Sequence, residues 1–183
     1  DLTDEQGYFK INEAAITRLN KELKIISSSP AYNAIKTELI NAQATRDAEI
    51  EALQDQIRLA KIQRDKIRNE STDPSKLDGL IRESQFQKAE LKRCKDRWKD
   101  RIYEIEKQIS EFEATIRDLK ARRAEQSDAL QKWIFENAIV HNGAGESLSI
   151  WEIFSCGGLT PPGGTGDCAA PKLLNYAFAH GLE

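Results

Sequence analysis

The sequence contains no methionine, only two histidines and three cysteines, and aromatic residues make up just 7% of its 183 positions. Because even an initiator methionine is absent and the chain closes on Leu182-Glu183, a pair typical of an expression vector, we expect a piece of a longer protein. An odd number of cysteines at irregular spacing excludes a disulfide framework and favours a reducing compartment. With few aromatics and 31% charged residues, little apolar material remains for a large independent core.

Long apolar runs are also missing from the chain. No stretch approaches the roughly 18 uncharged apolar residues that a membrane-spanning helix needs, and nothing at the N-terminus resembles a signal peptide. We therefore expect no membrane partner and a cytoplasmic localisation.

The sequence does contain two long tracks of apolar residues at helical spacing. The first covers about residues 30–70 and the second about 80–140, with turn-forming residues between them at 71–79. A shorter helix is expected at about 11–26, ending at a Ser-Ser-Ser-Pro run that supplies an N-cap and a first-position proline. These patterns predict a mainly α fold in which residues 1–140 form a long antiparallel coiled-coil helical hairpin.

The core positions of both tracks follow steps of three and four residues. The second track keeps this spacing from Trp98 to Trp133, whereas the first has a stutter at Arg46. A few polar residues occupy core positions, and they could fix the register or leave room for a second hairpin. These residues are Arg46, Arg64, Arg123 and Gln126.

Residues 141–183 differ in character from the tracks and predict a small helical and loop lobe. A turn at 141–146 precedes a short helix or strand at 148–154, and a Gly/Pro-rich loop follows at 155–166. A last helix is expected at about 169–180. The lobe is therefore a separate domain and not an extension of the hairpin.

The loop that precedes this last helix invites comparison with phosphate-binding loops, because glycines before a helix N-terminus expose backbone amides. It lacks the Gly-Lys-Ser/Thr ending of a Walker motif, and Lys172 comes too late. We therefore interpret Asp167 as a structural cap of the helix and Gly181 as its stop.

Metal ligands are present only at unfavourable spacing. None of the pairs among the histidines and cysteines has the CxxC or HxxxH spacing of recognisable zinc sites, and acidic residues fall on flanking positions that match nearby cations. We expect no metal, no cofactor and no catalytic site. The residues considered as ligands were His141, Cys156, Cys168 and His180.

Positive charge is concentrated in the middle of the chain. From Arg58 to Arg101 there are 14 Lys and Arg against 8 Asp and Glu, whereas the remainder has 13 against 22. Such a segment predicts contact with the phosphates of RNA. Trp98 occupies a core position of the second track, which favours a role in helix packing over base stacking. The candidate RNA-binding residues are Arg58, Lys61, Arg64, Lys66, Arg68, Lys88, Lys92, Arg93, Lys95, Arg97, Lys99 and Arg101.

The alternative interpretation of the same cations stays open. Flanking positions of coiled coils are commonly charged simply to remain solvated and to set the register. In that case the helices would serve as a structural spacer or as a protein–protein or dimerisation module, with no RNA contact.

Two segments resemble a known family. Residues 80–92, LIRESQFQKAELK, and residues 166–178, GDCAAPKLLNYAF, resemble the N-terminal coiled-coil extension of bacterial RluA-like RNA pseudouridine synthases. The resemblance implies that the full-length protein isomerises uridine to pseudouridine in ribosomal or transfer RNA without metal or organic cofactor. It also implies that this fragment precedes a C-terminal catalytic domain, which would be its partner within the same protein.

The catalytic motif of that family, of the type His-Arg-Leu-Asp, does not occur in this chain. No catalytic residue can therefore be assigned, and neither Arg82 nor Asp167 lies in matching sequence. The resemblance implies a non-catalytic accessory role in which the fragment helps its enzyme to hold or position RNA, with a homodimer as a further possible partnership.

Overall fold

A computed structural model describes residues 4–70 and 73–182 of the chain. Most of these residues are helical, which confirms the prediction of a mainly α protein. The helices and strands, in chain order, are α1 (Tyr8–Ser27), α2 (Pro30–Glu70), α3 (Pro74–Asn137), β1 (Ile139–His141), β2 (Ser147–Ser149), α4 (Ile150–Ser155) and α5 (Ala169–Ala179).

The chain divides into two compact units. The central unit is Ile25–Ile116 and holds α2 with the first part of α3. The terminal unit combines the residues up to Lys24 with those from Arg117 onward, and so holds most of α1, the end of α3 and the lobe.

The start of α2 follows from local chemistry. The Ser29 hydroxyl oxygen accepts a hydrogen bond from the Tyr32 amide at 3.2 Å, which is an N-cap contact. Pro30 stands in the first helical position, where the missing amide hydrogen has no helical partner to lose. The predicted cap and proline are therefore both in place.

The turn predicted at 71–79 is wrong over most of its length, because α3 begins at Pro74 and not at Leu80. The Asp73 carboxylate accepts from the Ser75 amide at 3.0 Å, and a proline in the first turn suits a helix start. Asp-Pro is therefore a helix-starting pair here. Residues 71 and 72 of that prediction lie outside the described part of the chain.

Within the central unit, α2 and α3 share a narrow apolar interior. Tyr32 on α2 and Cys94, Ile102 and Ile105 on α3 are buried. The rings of Tyr32 and Phe112 stack with centroids 5.3 Å apart.

Several polar contacts also join the two helices. Their α3 partner moves back along the chain as the α2 position advances, from Glu38 with Arg101, through Glu49 with Arg97, to Arg64 with Gln87. Each contact joins two side chains more than twenty positions apart in the sequence.

The polar residues predicted at core positions do not share one environment. Arg64 is 4% exposed, and the carbonyl oxygen of the Gln126 side chain is buried without a hydrogen-bond partner among the described residues. Arg46 is half-buried and pairs with its neighbour Asp47 at 2.8 Å. Arg123 is exposed, so its assignment to the core is wrong. A cation can leave the interior there because its long side chain reaches water.

In the terminal unit, α1 buries Leu19, and α3 contributes Leu119, Leu130 and Phe135 to the interior. The rings of Tyr8 and Trp133 lie with centroids 5.1 Å apart. These contacts explain the apolar face predicted for the first helix.

The end of α3 differs from the prediction of a helix to Val140. The helix ends at Asn137, and β1 pairs with β2 in an antiparallel ladder, with Val140 opposite Leu148. The Ile150 amide also donates to the Ala138 carbonyl at 3.0 Å. Cross-strand pairing therefore replaces the last helical turn, which a continuous apolar pattern does not reveal.

The lobe is held by side chains that bond to backbone. Ser149 and Glu152 form a capping box at the start of α4. Asn175 on α5 accepts from the His141 amide at 2.7 Å and donates to the Ile139 carbonyl at 3.1 Å. One amide side chain thus fastens the last helix to the edge of β1.

The predicted cap of the last helix is wrong. Cys168 occupies the N-cap position of α5 without a side-chain cap bond, and Asp167 pairs with Lys172 at 3.2 Å. Gly166 has φ +84°, and a Cβ there would lie 2.8 Å from the Ile150 side chain, so the loop needs glycine at this point. Gly181, with φ +63°, follows α5 as the predicted stop.

Candidate nucleic-acid interface

The basic segment of α3 carries its arginines and its lysines on different flanks of the helix. Arg97 and Arg101 are one turn apart, and each reaches a carboxylate on α2. The distances are 2.5 Å from Arg97 to Glu49 and 2.5 Å from Arg101 to Glu38. Each of these two arginines therefore has a carboxylate partner within the central unit.

Four lysines form a row on the other flank of α3. Lys88, Lys92, Lys95 and Lys99 follow one another at steps of four, three and four residues, the spacing that places side chains above one another on a helix of 3.6 residues per turn. All four are exposed. We call them the lysine row.

The concave surfaces beside α3 support this division into flanks. Lys95 and Lys99 line a concavity of about 590 Å³ together with Arg46, Ile50 and Tyr103. Arg101 lines a different one of about 530 Å³ with Glu38 and other α2 residues.

The lysine row has no intramolecular counter-ion in the described chain. Across residues 4–70 and 73–182, no carboxylate lies within ion-pair distance of any of its four ammonium groups. The same holds for Lys61 and Lys66 on α2, which are also exposed. Among the described residues, these six lysines therefore form no ion pair that a partner would have to displace.

Arg64 differs from the other predicted RNA-binding residues because its side chain is buried. Its guanidinium is buried and donates to the side-chain oxygen of Gln87 at 2.7 Å and to Glu83 at 3.4 Å. A cation in this position cannot reach a phosphate, because it would have to abandon buried hydrogen bonds. Arg64 therefore belongs to the interior.

The remaining arginines among the candidates form local pairs on their own helices. Because these pairs are exposed and three residues apart, each is weak, and a phosphate could displace the carboxylate. The pairs are Arg58 with Asp55 at 3.0 Å, Arg68 with Asp65 at 3.5 Å, and Arg93 with Glu90.

Trp98 is held from one side by a carboxylate. Its indole nitrogen donates to Glu49 at 2.5 Å, and the residue is half-buried. This agrees with the prediction that Trp98 packs between the two helices. Hydrogen bonds first from Trp98 and then from Arg97 hold the pKa of Glu49 below its usual value, so the carboxylate is ionised at neutral pH.

Cys94 lies beside the same carboxylate. It is 3% exposed, and desolvation together with the nearby Glu49 charge raises the pKa of its thiol. The thiol therefore stays protonated and behaves as a small apolar group.

Tyr103 is a candidate interface residue that the charge pattern did not predict. This residue follows Lys99 by one helical turn, lines the same concavity as Lys95 and Lys99, and leaves 63% of its surface in solvent. The available signal was its spacing, four residues after the lysine row.

The histidines and cysteines that the sequence offered as metal ligands are not brought together in the described part of the chain. Among the described residues, no group of three or more His, Cys, Asp or Glu side chains is placed to hold a metal ion. His141 bonds to Ser147 and His180 stacks on Tyr176, while Cys156 and Cys168 are exposed. In the same part of the chain, no helix combines the length and apolarity needed to cross a membrane.

Comparisons with protein-family models, with curated proteins and with solved structures give no match to this chain. The resemblance to the pseudouridine synthase extension therefore stays a prediction.

Proposed function

We propose that this chain is an RNA-binding accessory module whose lysine row contacts the phosphate backbone. The observation that carries the proposal is the division of cations on α3. The arginines facing α2 have carboxylate partners, whereas the four lysines of the row are exposed and have none among the described residues. Phosphates would supply the missing negative charge and release condensed counterions.

The proposed scaffold for this row is an antiparallel coiled-coil hairpin formed by α2 and α3 within the central unit. The regression of contact partners from Arg101 to Arg97 to Gln87 supports it. In an antiparallel coiled coil, the residues on one side of the core in the first helix lie beside the residues on the same side of the core in the second helix. Since Arg97 meets Glu49 on one side, the lysine row shares the opposite side with Lys61 of α2.

The biological setting that we propose comes from the family resemblance. In this setting the chain is a non-catalytic part of a cytoplasmic RNA pseudouridine synthase and helps to position ribosomal or transfer RNA. An enzyme that takes a uridine out of its stack benefits when the surrounding RNA is held at several phosphates. Phosphate contacts of this kind position an RNA without reading its sequence.

A protein-contact role, as spacer or homodimer, is the second candidate. Two large apolar side chains that lie three residues apart on α2 are exposed, at 59% for Leu59 and 62% for Ile62. Exposed apolar side chains favour contact with another protein surface when they are contiguous. Light scattering would detect a dimer, and alanine at these two positions should then abolish it.

The test of RNA binding is a salt titration of affinity. Fluorescence anisotropy with a labelled RNA would be measured for the wild type and for a variant with all four lysines of the row changed to glutamine. We expect the slope of log K against log salt to become shallower by about 3, at about 0.7 per phosphate of a single strand.

A matched variant controls for net charge. Changing Lys21, Lys76, Lys107 and Lys120 to glutamine also removes four exposed positive charges, but none of them belongs to the row. The proposal predicts a slope close to the wild type for this variant. Equal slopes for both variants would contradict it, because binding would then depend only on net charge.

A further inference from the structure

Tyr103 is an exposed aromatic ring without a ring partner. Each of the other tyrosines of the described chain contacts a ring: Tyr32 stacks on Phe112, Tyr176 stacks on His180, and Tyr8 lies tilted against Trp133. Tyr103 has neither a ring contact nor a side-chain hydrogen bond in the described ranges, and it is 63% exposed. Its ring contributes little to the interior of the helix pair.

The position of Tyr103 extends the lysine row by one turn. It follows Lys99 by four residues, so the ring stands on the same flank of α3 as the four ammonium groups. The ring also lines the concavity that contains Lys95 and Lys99.

The concavity beside the ring offers groups of both signs that an RNA strand can contact. Asp100 and Glu106 line it together with the lysines, and the one nearby guanidinium, Arg46, is already paired with Asp47 at 2.8 Å. The two lysines can meet phosphates, and the two carboxylates can accept hydrogen bonds from the amino groups of bases. An aromatic face offers stacking to any base.

We propose that Tyr103 is a stacking platform for one base of single-stranded RNA, whose backbone continues along the lysine row. This inference rests on the proposed function and adds the class of RNA. In a duplex the base faces are already stacked and cannot meet the ring, whereas an unpaired strand can place a base on it. The arrangement joins a cationic track to an aromatic ring, as in single-strand binding sites.

The experiment compares a single-stranded RNA with a duplex of the same sequence, using an unstructured labelled 12-nucleotide probe at fixed salt. Tyr103→Ala should weaken single-strand binding between about 5-fold and 100-fold and leave duplex binding unchanged. Tyr103→Phe keeps the ring and should bind the single strand within about 2-fold of the wild type.

Phe86→Ala is the matched control, since it removes an aromatic ring of similar exposure, 60%, from the same helix. Helix packing places Phe86 away from the flank of the row, and its loss should leave both affinities unchanged. Circular dichroism would verify that each variant keeps its helix content.

The outcomes separate this inference from the proposed function. Salt-dependent binding that is equal for wild type and Tyr103→Ala would overturn the stacking platform alone. Equal weakening of single strand and duplex by Tyr103→Ala would also overturn it. If the wild type shows no salt-dependent RNA binding, both proposals fail.

Discussion

The two flanks of α3 carry the same sign of charge but differ in what those charges meet. On one flank, Arg97 and Arg101 lie against glutamates of α2. On the other, the lysine row lies in solvent without a carboxylate within ion-pair distance in the described chain. The comparison teaches that a count of basic residues overestimates a nucleic-acid interface when some of them serve the contact between two helices.

Substitution of Arg64 should have the largest effect on stability, because this side chain is buried whereas the cations on the two flanks of α3 are exposed. Arg64→Ala removes the hydrogen bonds to Gln87 and Glu83, and we expect the free energy of unfolding to fall by about 2 kcal/mol. Urea denaturation followed by circular dichroism would measure it. RNA affinity should change by less than about 2-fold in the salt range where the variant stays folded. A large loss of affinity would show that Arg64 contributes to RNA binding.

The arginine flank should give a smaller stability effect. Changing Arg97 and Arg101 to glutamine breaks two exposed ion pairs, each worth about 0–1 kcal/mol, and the same denaturation experiment would detect the sum. Trp98 keeps its hydrogen bond to Glu49, so its near-ultraviolet signal should persist. If stability were unchanged at low salt, the pairs would contribute nothing to the contact between α2 and α3.

Glu49 should make stability depend on pH. The pKa of this carboxyl is lowered in the folded chain by Trp98 and then by Arg97, so its contribution is present above the unfolded pKa and is lost as pH falls through the folded pKa. Glu49→Gln should therefore flatten the acid limb of the denaturation midpoint plotted against pH. A limb of unchanged steepness would show that Glu49 has no such role.

The reactivity of the three cysteines should report whether α3 buries Cys94. Cys156 and Cys168 are exposed and Cys94 is buried with a raised thiol pKa. A thiol reagent at pH 8 should modify two thiols rapidly and the third only when the chain unfolds. Three equally fast thiols would contradict the buried interior of the central unit.

The sequence predicted the fold where local signals were strong. Apolar spacing, Ser29 and Pro30 were sufficient to locate α2, because capping and periodicity act within a few residues. The start of α3 was missed because Asp73-Pro74 suits a turn as well as a helix N-terminus. The strand at Ile139–His141 was missed because its partner is six to ten residues away, and pairing of that kind leaves no mark on helical periodicity.

The candidate site was predictable as a segment but not as a surface. The sequence identifies the basic residues, yet which of them meets a carboxylate depends on the register of α2 against α3. Arg97 and Lys99 are two positions apart, and only the partner helix distinguishes them. Tyr103 was missed because a count of charged residues does not include it, although it follows Lys99 by four residues.

The most direct test of this account removes the same charge from each flank of one short stretch of α3. Lys95 and Lys99 are changed to glutamine in one variant, and Arg97 and Arg101 in the other, and the salt dependence of RNA affinity is measured for both. We predict that the slope becomes shallower by about 1.4 for the lysine pair, at about 0.7 per phosphate, and keeps its wild-type value for the arginine pair. Equal changes in slope for the two variants would contradict the central claim that the two flanks differ in function.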